Sequence, residues 1–285
     1  MHPGEQQQGE QLPGITAVLA SDDGRELEGA VLDLAAVLDG LVDGNFEIIV
    51  VDVGAPPHVE DALAELRVRY PSLRSRLHAR SAVGQPTALA TGFDAATYDL
   101  ILAIGTNGEV DVRETNHLLE AIEHGADLVI GFRPRRADGL DRRLYGWGWN
   151  ALLGLLFGRT ARDVNCPFKL FRTAVWQQVH VQHRDASLAF NAKLLVSARQ
   201  LGFQVAEVPV SHRRPRRGTA SRAVGPTEIG RALVELSRLS RAVGTQHAAL
   251  RPWSPGANSR FASSMPGAAR EPRPAPERRF LTPDS

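Results

Sequence analysis

Asp99-Leu100-Ile101-Leu102-Ala103-Ile104-Gly105-Thr106-Asn107-Gly108-Glu109-Val110-Asp111 joins an unbroken apolar run to a small, polar loop. The run Leu100 to Ile104 suits a strand buried on both faces, as in parallel sheets covered by helices. Open α/β sheets bind ligands just beyond the carboxyl ends of such strands. Gly105-Thr106-Asn107 therefore stands where chemistry is expected. A site that handles phosphates through a divalent cation normally supplies carboxylates there. No acidic side chain follows the strand before Glu109.

Working outward toward the amino terminus, Ile15 to Ala20 and Phe46 to Asp52 read as two more buried strands. The helix between them carries Leu27, Val31, Leu34 and Leu38 at helical spacing, and a second helix, about Val59 to Tyr70, carries Ala62, Leu63 and Leu66. Val53-Gly54-Ala55-Pro56-Pro57 is a loop. Leu77-His78-Ala79 is expected as a short third strand, and Gln85 to Ala96 as a small-residue helix. On the carboxyl side, Arg113 to His124 is an amphipathic helix and Asp127 to Phe132 another strand. This alternation predicts an α/β, Rossmann-like fold, a mostly parallel sheet with helices on both faces.

From Arg133 the character changes. A basic loop, Arg133-Pro134-Arg135-Arg136, precedes Leu144 to Phe157, which combines Trp147, Trp149, leucines and interrupting glycines. That stretch is too short to span a bilayer. Its reading is open between a membrane surface met through Trp147 and Trp149 and helices buried against the sheet. Asp163 to Arg172 leads to a helix opened by Thr173 and a longer one from about Ser187 to Leu201. Phe203 to Val210 alternates as a half-exposed edge strand, and a basic segment, His212 to Arg222, leads to an amphipathic helix, about Thr227 to Val243. Composition predicts a disordered amino terminus over 1–13, one folded domain over 14–243, and a disordered Pro/Arg-rich tail over 244–285.

The 285 residues are 43% hydrophobic, enough for a substantial core. With Lys+Arg 33 against Asp+Glu 32, the charge balance points to no nucleic-acid partner, so any basic site must be local. The single cysteine, Cys166, excludes an internal disulfide and a cysteine zinc cluster. Met1 to Gly14 lacks a basic segment followed by an apolar one, which argues against a secretory leader. The expected location is cytoplasmic, peripheral at the inner face of the membrane.

Four runs in order carry a family resemblance: Phe46 to Asp52, Ala126 to Arg133, Asn165-Cys166-Pro167-Phe168-Lys169-Leu170-Phe171-Arg172, and Val205 to Val210. Over about Gly14 to Val243 the chain resembles family-2 glycosyltransferases of the GT-A fold. It is most similar to the branch of dolichyl-phosphate mannose synthase and related polyprenyl-phosphate sugar transferases. The resemblance implies a nucleotide-sugar donor and a lipid-phosphate acceptor; a protein partner cannot be named from it. By position it assigns Asp52, followed by Gly54, to the nucleotide base, although a carboxylate there also suits a simple loop cap. It places Asp163 and Asn165 near the donor sugar. Arg217 and Arg222 correspond to the family's phosphate-gripping basic loop, with a solvated basic loop as the other reading.

The resemblance also implies Mg or Mn held by an Asp-x-Asp motif. Aligned without gaps, those aspartates fall on Gly105 and Asn107, so no metal is assigned. Glu109-Val110-Asp111 is either a shifted acidic pair or an ordinary acidic loop before a helix. The family's Phe-Asp-x-Glu motif aligns with Phe190-Asn191-Ala192-Lys193, and its diphosphate-loop lysine with Gln85. These coordinated losses favour a catalytically degenerate relative. The alternative is an active, metal-independent transferase in which Arg217 and Arg222, aided by Lys193, stabilise the leaving diphosphate. A different α/β nucleotide enzyme would need a Gly-x-Gly-x-x-Gly or P-loop sequence, and neither is present.

Overall fold

The computed structural model describes residues 13–21, 27–52, 57–77, 85–105, 108–134, 140–158, 161–179, 189–213 and 226–244. These belong to one compact unit, Met1–Trp253; a second unit, Ser254–Ser285, lies outside the described residues, as do residues 1–12. The strands are β1 (Ile15–Ser21), β2 (Phe46–Asp52), β3 (Leu73–Leu77), β4 (Leu100–Gly105), β5 (Leu128–Phe132), β6 (Lys169–Arg172) and β7 (Val205–Pro209). They form one sheet in the order β3-β2-β1-β4-β6-β5-β7. The helices are α1 (Leu27–Val42), α2 (Pro57–Arg69), α3 (Gln85–Asp94), α4 (Thr115–Glu123), α5 (Leu140–Phe157), α6 (Thr173–Val179), α7 (Phe190–Gln200) and α8 (Pro226–Gly244).

The expected α/β class is observed. Consecutive residues of β1, β2, β4 and β5 are buried, so both faces of the sheet are covered. β7 is an edge strand, as its alternation predicted. All pairings are parallel except those of β6, which runs antiparallel between β4 and β5. The sequence did not announce β6, because a four-residue strand with Lys169 and Arg172 at its ends has no apolar run to betray it. The third strand also differs from expectation: it is Leu73–Leu77, ending where Leu77-His78-Ala79 was to begin. Its sequence, LRSRL, has apolar residues only at its ends, which an edge position pairing with β2 alone tolerates.

Phe93 of α3, Phe171 of β6, Trp176 of α6 and Phe190 of α7 interlock around the sheet. Phe93 meets Phe171 edge-on at 5.2 Å and Trp176 at 5.1 Å between centroids. The indole of Trp176 donates to Asp94 Oδ1 at 2.8 Å. At the amino ends of the parallel strands, buried Glu47 accepts from Thr16 Oγ1 (2.7 Å), Thr97 N (2.8 Å) and Thr97 Oγ1 (2.7 Å). This acid ties β2 to β1 and to the entry of β4, at the end of the sheet opposite the expected site.

α5 is one helix of 18 residues. Trp149, Leu153 and Phe157, four apart, bury one face, whereas Trp147 is 74% exposed. The expectation that both tryptophans meet a membrane is therefore corrected for Trp149, which is 5% exposed and belongs to the core. Residues two apart on a helix are separated by about 200° around the axis, so Trp147 and Trp149 cannot share a face.

Candidate functional site

The register of the central strands puts the first site residues together. Ser21 lies beside Asp52 and Ala20 beside Gly105, so Asp52 and Gly105 flank the end of β1 on the same edge of the sheet, roughly 10 Å apart across two strand spacings. Gly54, Asn107, Arg217 and Arg222 lie outside the described residues, as does the side chain of Asp52. Because β6 is antiparallel, the loop that enters it, Asp163 to Phe168, reaches the same edge.

A buried ionic cluster organises this edge. Arg133, just past β5, donates from Nε to Asp163 Oδ2 at 2.6 Å and from Nη2 to Asp163 Oδ1 at 3.0 Å. Its Nη1 lies 3.9 Å from Glu109 Oε2, which in turn is 3.7 Å from Nε2 of His212. Burial disfavours the guanidinium charge, but the hydrogen bond and negative charge of Asp163 outweigh it and hold Arg133 protonated. Both oxygens of Asp163 thus serve Arg133. Gly131, on the strand before Arg133, admits close packing: a Cβ there would come within 2.9 Å of Val210 Cγ2 and 3.1 Å of Cys166 Sγ.

The acids that follow Gly105 are each engaged by the segment leading out of β7. Ser211 donates from Oγ to Glu114 Oε1 at 2.5 Å and from N to Glu114 Oε2 at 2.8 Å. Arg213 donates from N to the carbonyl of Glu109 (2.8 Å) and from Nη2 to Asp111 Oδ2 (2.6 Å). Asp111 also accepts from Arg113 N at 3.1 Å, capping the short 3-10 turn Val112–Glu114. Glu109 and Asp111 therefore face protein cations, and Gly105 offers no ligand side chain; these residues do not fit the divalent cation that the resemblance implies. Sequence reading missed Ser211, Arg213 and Glu114 because their pairing spans about a hundred residues and leaves no local pattern.

Asn165 and Asn191 are brought together, with Asn191 Nδ2 donating to Asn165 Oδ1 at 3.3 Å. Two neutral amides thus meet where the resemblance would put an acid of the Phe-Asp-x-Glu motif. Lys193 Nζ is 2.5 Å from Glu235 Oε2 of α8, and both side chains are largely buried. That pairing corrects the expectation that Lys193 helps to stabilise a leaving group, since its charge is already neutralised.

Lys169 is buried at the start of β6 and donates to the carbonyl of Cys166. Burial pushes its ammonium down to about 8, with Cys166 and Asp163 opposing. Burial likewise pushes the Cys166 thiol up to about 11. Between about pH 8 and 10.5 the unfolded chain holds a proton on Lys169 that the folded chain lacks, so stability rises with pH. Between 9.0 and about 11 the folded chain keeps a thiol proton that the unfolded chain loses, so this group lowers stability as pH rises. Urea midpoints should climb from about pH 8 to 9 and then level off. Cys166→Ala should extend the climb to about pH 10.5, and Lys169→Met should abolish it.

A family model described as Glycosyl transferase family 2 matches residues 30–185. Glycosyltransferase AglD of Haloferax volcanii is 29% identical over 212 residues, covering 69% of this chain and 32% of that protein. Polyprenol monophosphomannose synthase of Mycolicibacterium smegmatis is 28% identical over 177 residues, covering 58% of this chain and 65% of that protein. The chain thus spans less than two thirds of the length of these curated relatives. Among solved structures, glucosyl-3-phosphoglycerate synthase from Mycobacterium tuberculosis in complex with uridine-diphosphate matches with a TM-score of 0.53 at 18% identity, covering 85% of this chain and 86% of that one. This last likeness is one of fold.

Proposed function

Because the chain belongs to glycosyl transferase family 2, we propose that it is a nucleotide-sugar-binding relative of polyprenyl-phosphate sugar transferases whose metal-dependent chemistry has been lost. The lipid-phosphate side of this reading is supported by the polyprenol monophosphomannose synthase among its relatives. The observation that carries the loss is the loop after β4: Gly105 stands at the strand end, and the next two acids, Glu109 and Asp111, are engaged by Arg133, His212 and Arg213. In this reading the base contacts the ends of β1 and β2, and the diphosphate lies over the end of β4.

One observation favours a second reading, a metal-independent transferase. Arg213, which opens the basic segment containing Arg217 and Arg222, is anchored to Asp111 on the loop after β4. Arginines carried there could take over charge stabilisation on the leaving diphosphate. A polyprenyl phosphate is already an anion at neutral pH, so its attack on the anomeric carbon would need no general base.

Calorimetric titration with UDP, GDP and their sugars, with and without Mn²⁺, tests the proposal. The expected result is binding that Mn²⁺ does not strengthen, weakened about tenfold or more by Arg217→Ala with Arg222→Ala, given roughly 1.5–3 kcal/mol per hydrogen bond to a charged group. Metal-enhanced binding in the unchanged chain overturns the loss of the metal site. Turnover of polyprenyl phosphate without metal would select the second reading.

A further inference from the structure

β4 and β7 are not neighbours in the sheet: β6 and β5 stand between them, so their carboxyl ends lie roughly 14 Å apart along one edge. The segments that follow them nonetheless meet. Three consecutive residues after β7, namely Ser211, His212 and Arg213, each face a different acid of the stretch after β4. Ser211 donates its hydroxyl and its amide to the carboxylate of Glu114 at 2.5 and 2.8 Å. Arg213 donates its amide to the carbonyl of Glu109 at 2.8 Å and Nη2 to Asp111 at 2.6 Å. From Arg213 the sequence continues through Arg214, Arg216, Arg217 and Arg222, with no acid before Glu228. Three carboxylates on this edge would repel a diphosphate lying over the end of β4, so their presence there calls for a role that outweighs the repulsion.

We propose that Asp111 and Glu114 are positioning residues for anion binding: by holding Arg213 and Ser211 they fix the start of the basic segment at the sheet edge, and they strengthen the binding of a nucleotide diphosphate although their own charge opposes it. The role rests on the nucleotide-binding reading above and adds to it two acids that act through other residues. Fixing the backbone of Ser211 and Arg213 before the ligand arrives removes conformational entropy that binding would otherwise have to overcome. The opposing term is small. Asp111 is already offset by Arg213, and repulsion between exposed charges a Debye length apart is largely screened by salt, whereas the tether acts through charge-assisted hydrogen bonds at contact distance. The two segments are more than ninety residues apart in sequence, as the Ser211 to Glu114 bond spans 97 positions, so only the folded chain brings them together.

The test on the full chain has one arm without ligand and one with UDP. Amide hydrogen exchange at Ser211 should be slow in the unchanged chain and about tenfold faster in Glu114→Ala, which removes its acceptor. In calorimetric titration, Asp111→Ala and Glu114→Ala should each weaken UDP binding about tenfold, the loss expected for a charge-assisted hydrogen bond and opposite in sign to what removing a negative charge does for an anion. Glu114→Gln still offers Ser211 an acceptor and should weaken binding less than Glu114→Ala. Ser211→Ala changes no charge and should weaken it roughly threefold. In a chain already carrying Arg213→Gln, Asp111→Ala should no longer weaken binding, because Asp111 then holds no cation. Thermal unfolding identifies any variant that loses the fold, and the milder Glu114→Gln and Ser211→Ala then carry the comparison. UDP binding that is tighter or unchanged in the alanine variants, or equal in Glu114→Gln and Glu114→Ala, overturns the positioning role and leaves the nucleotide-binding reading standing. Fast exchange at Ser211 in the unchanged chain overturns the tether itself, and absence of UDP binding by the unchanged chain overturns both the role and the reading beneath it.

Discussion

Asp163→Ala is expected to cost about 3–5 kcal/mol of folding stability, read from the shift of the urea unfolding midpoint at neutral pH. The side chains of Arg133 and Asp163 are only 5% and 8% exposed and joined by two hydrogen bonds. Removing the carboxylate leaves a buried guanidinium whose nearest remaining acid, Glu109, is 3.9 Å away and shared with His212. A buried charge without its partner is among the few single changes with so large a penalty. Adding Arg133→Met should restore part of the loss, because two apolar side chains of similar volume need no desolvation partner. If Asp163→Ala shifts the midpoint by less than about 1 kcal/mol, Asp163 is not acting as the counter-ion that holds the loop, and a sugar-facing role for it regains ground.

Gly105→Asp combined with Asn107→Asp should make Mn²⁺ tighten nucleotide-sugar binding about a hundredfold relative to the unchanged chain, roughly 3 kcal/mol. The end of β4 lies beside the end of β1 in register with Ala20, on the sheet edge shared with Asp52, so a carboxylate at Gly105 is introduced where a bridging cation would face a diphosphate. Titration with and without metal measures the gain. Should the double variant bind nothing in either condition, the nucleotide pocket itself has been lost along with the metal ligands. Neither result depends on turnover.

The central strands were legible because buried parallel strands leave continuous apolar runs, such as Ile48 to Val51 and Leu100 to Ile104, in the chain itself. The helices were legible for the same kind of reason: Leu27, Val31, Leu34 and Leu38 repeat at the helical period and are all buried. β6 was not, because its burial comes from insertion between β4 and β5 rather than from its own composition. Nor could charge counting foresee that Lys193 meets Glu235, or that Trp147 and Trp149 part company around one helix.

Sequence alone determined the α/β class and, β6 excepted, the alternation of strands and helices, since these rest on periodicity; that Gly105, Asn107 and Asn191 stand where acids are expected is what the family resemblance implies. Tertiary structure decided what the remaining charges do. Glu109, Asp111 and Glu114 are adjacent in the chain to an expected ligand site, but their partners Arg133, Ser211, His212 and Arg213 arrive from the ends of β5 and β7. An ion pair is set by distance and burial in three dimensions, and neither quantity is written in the spacing of residues along a chain.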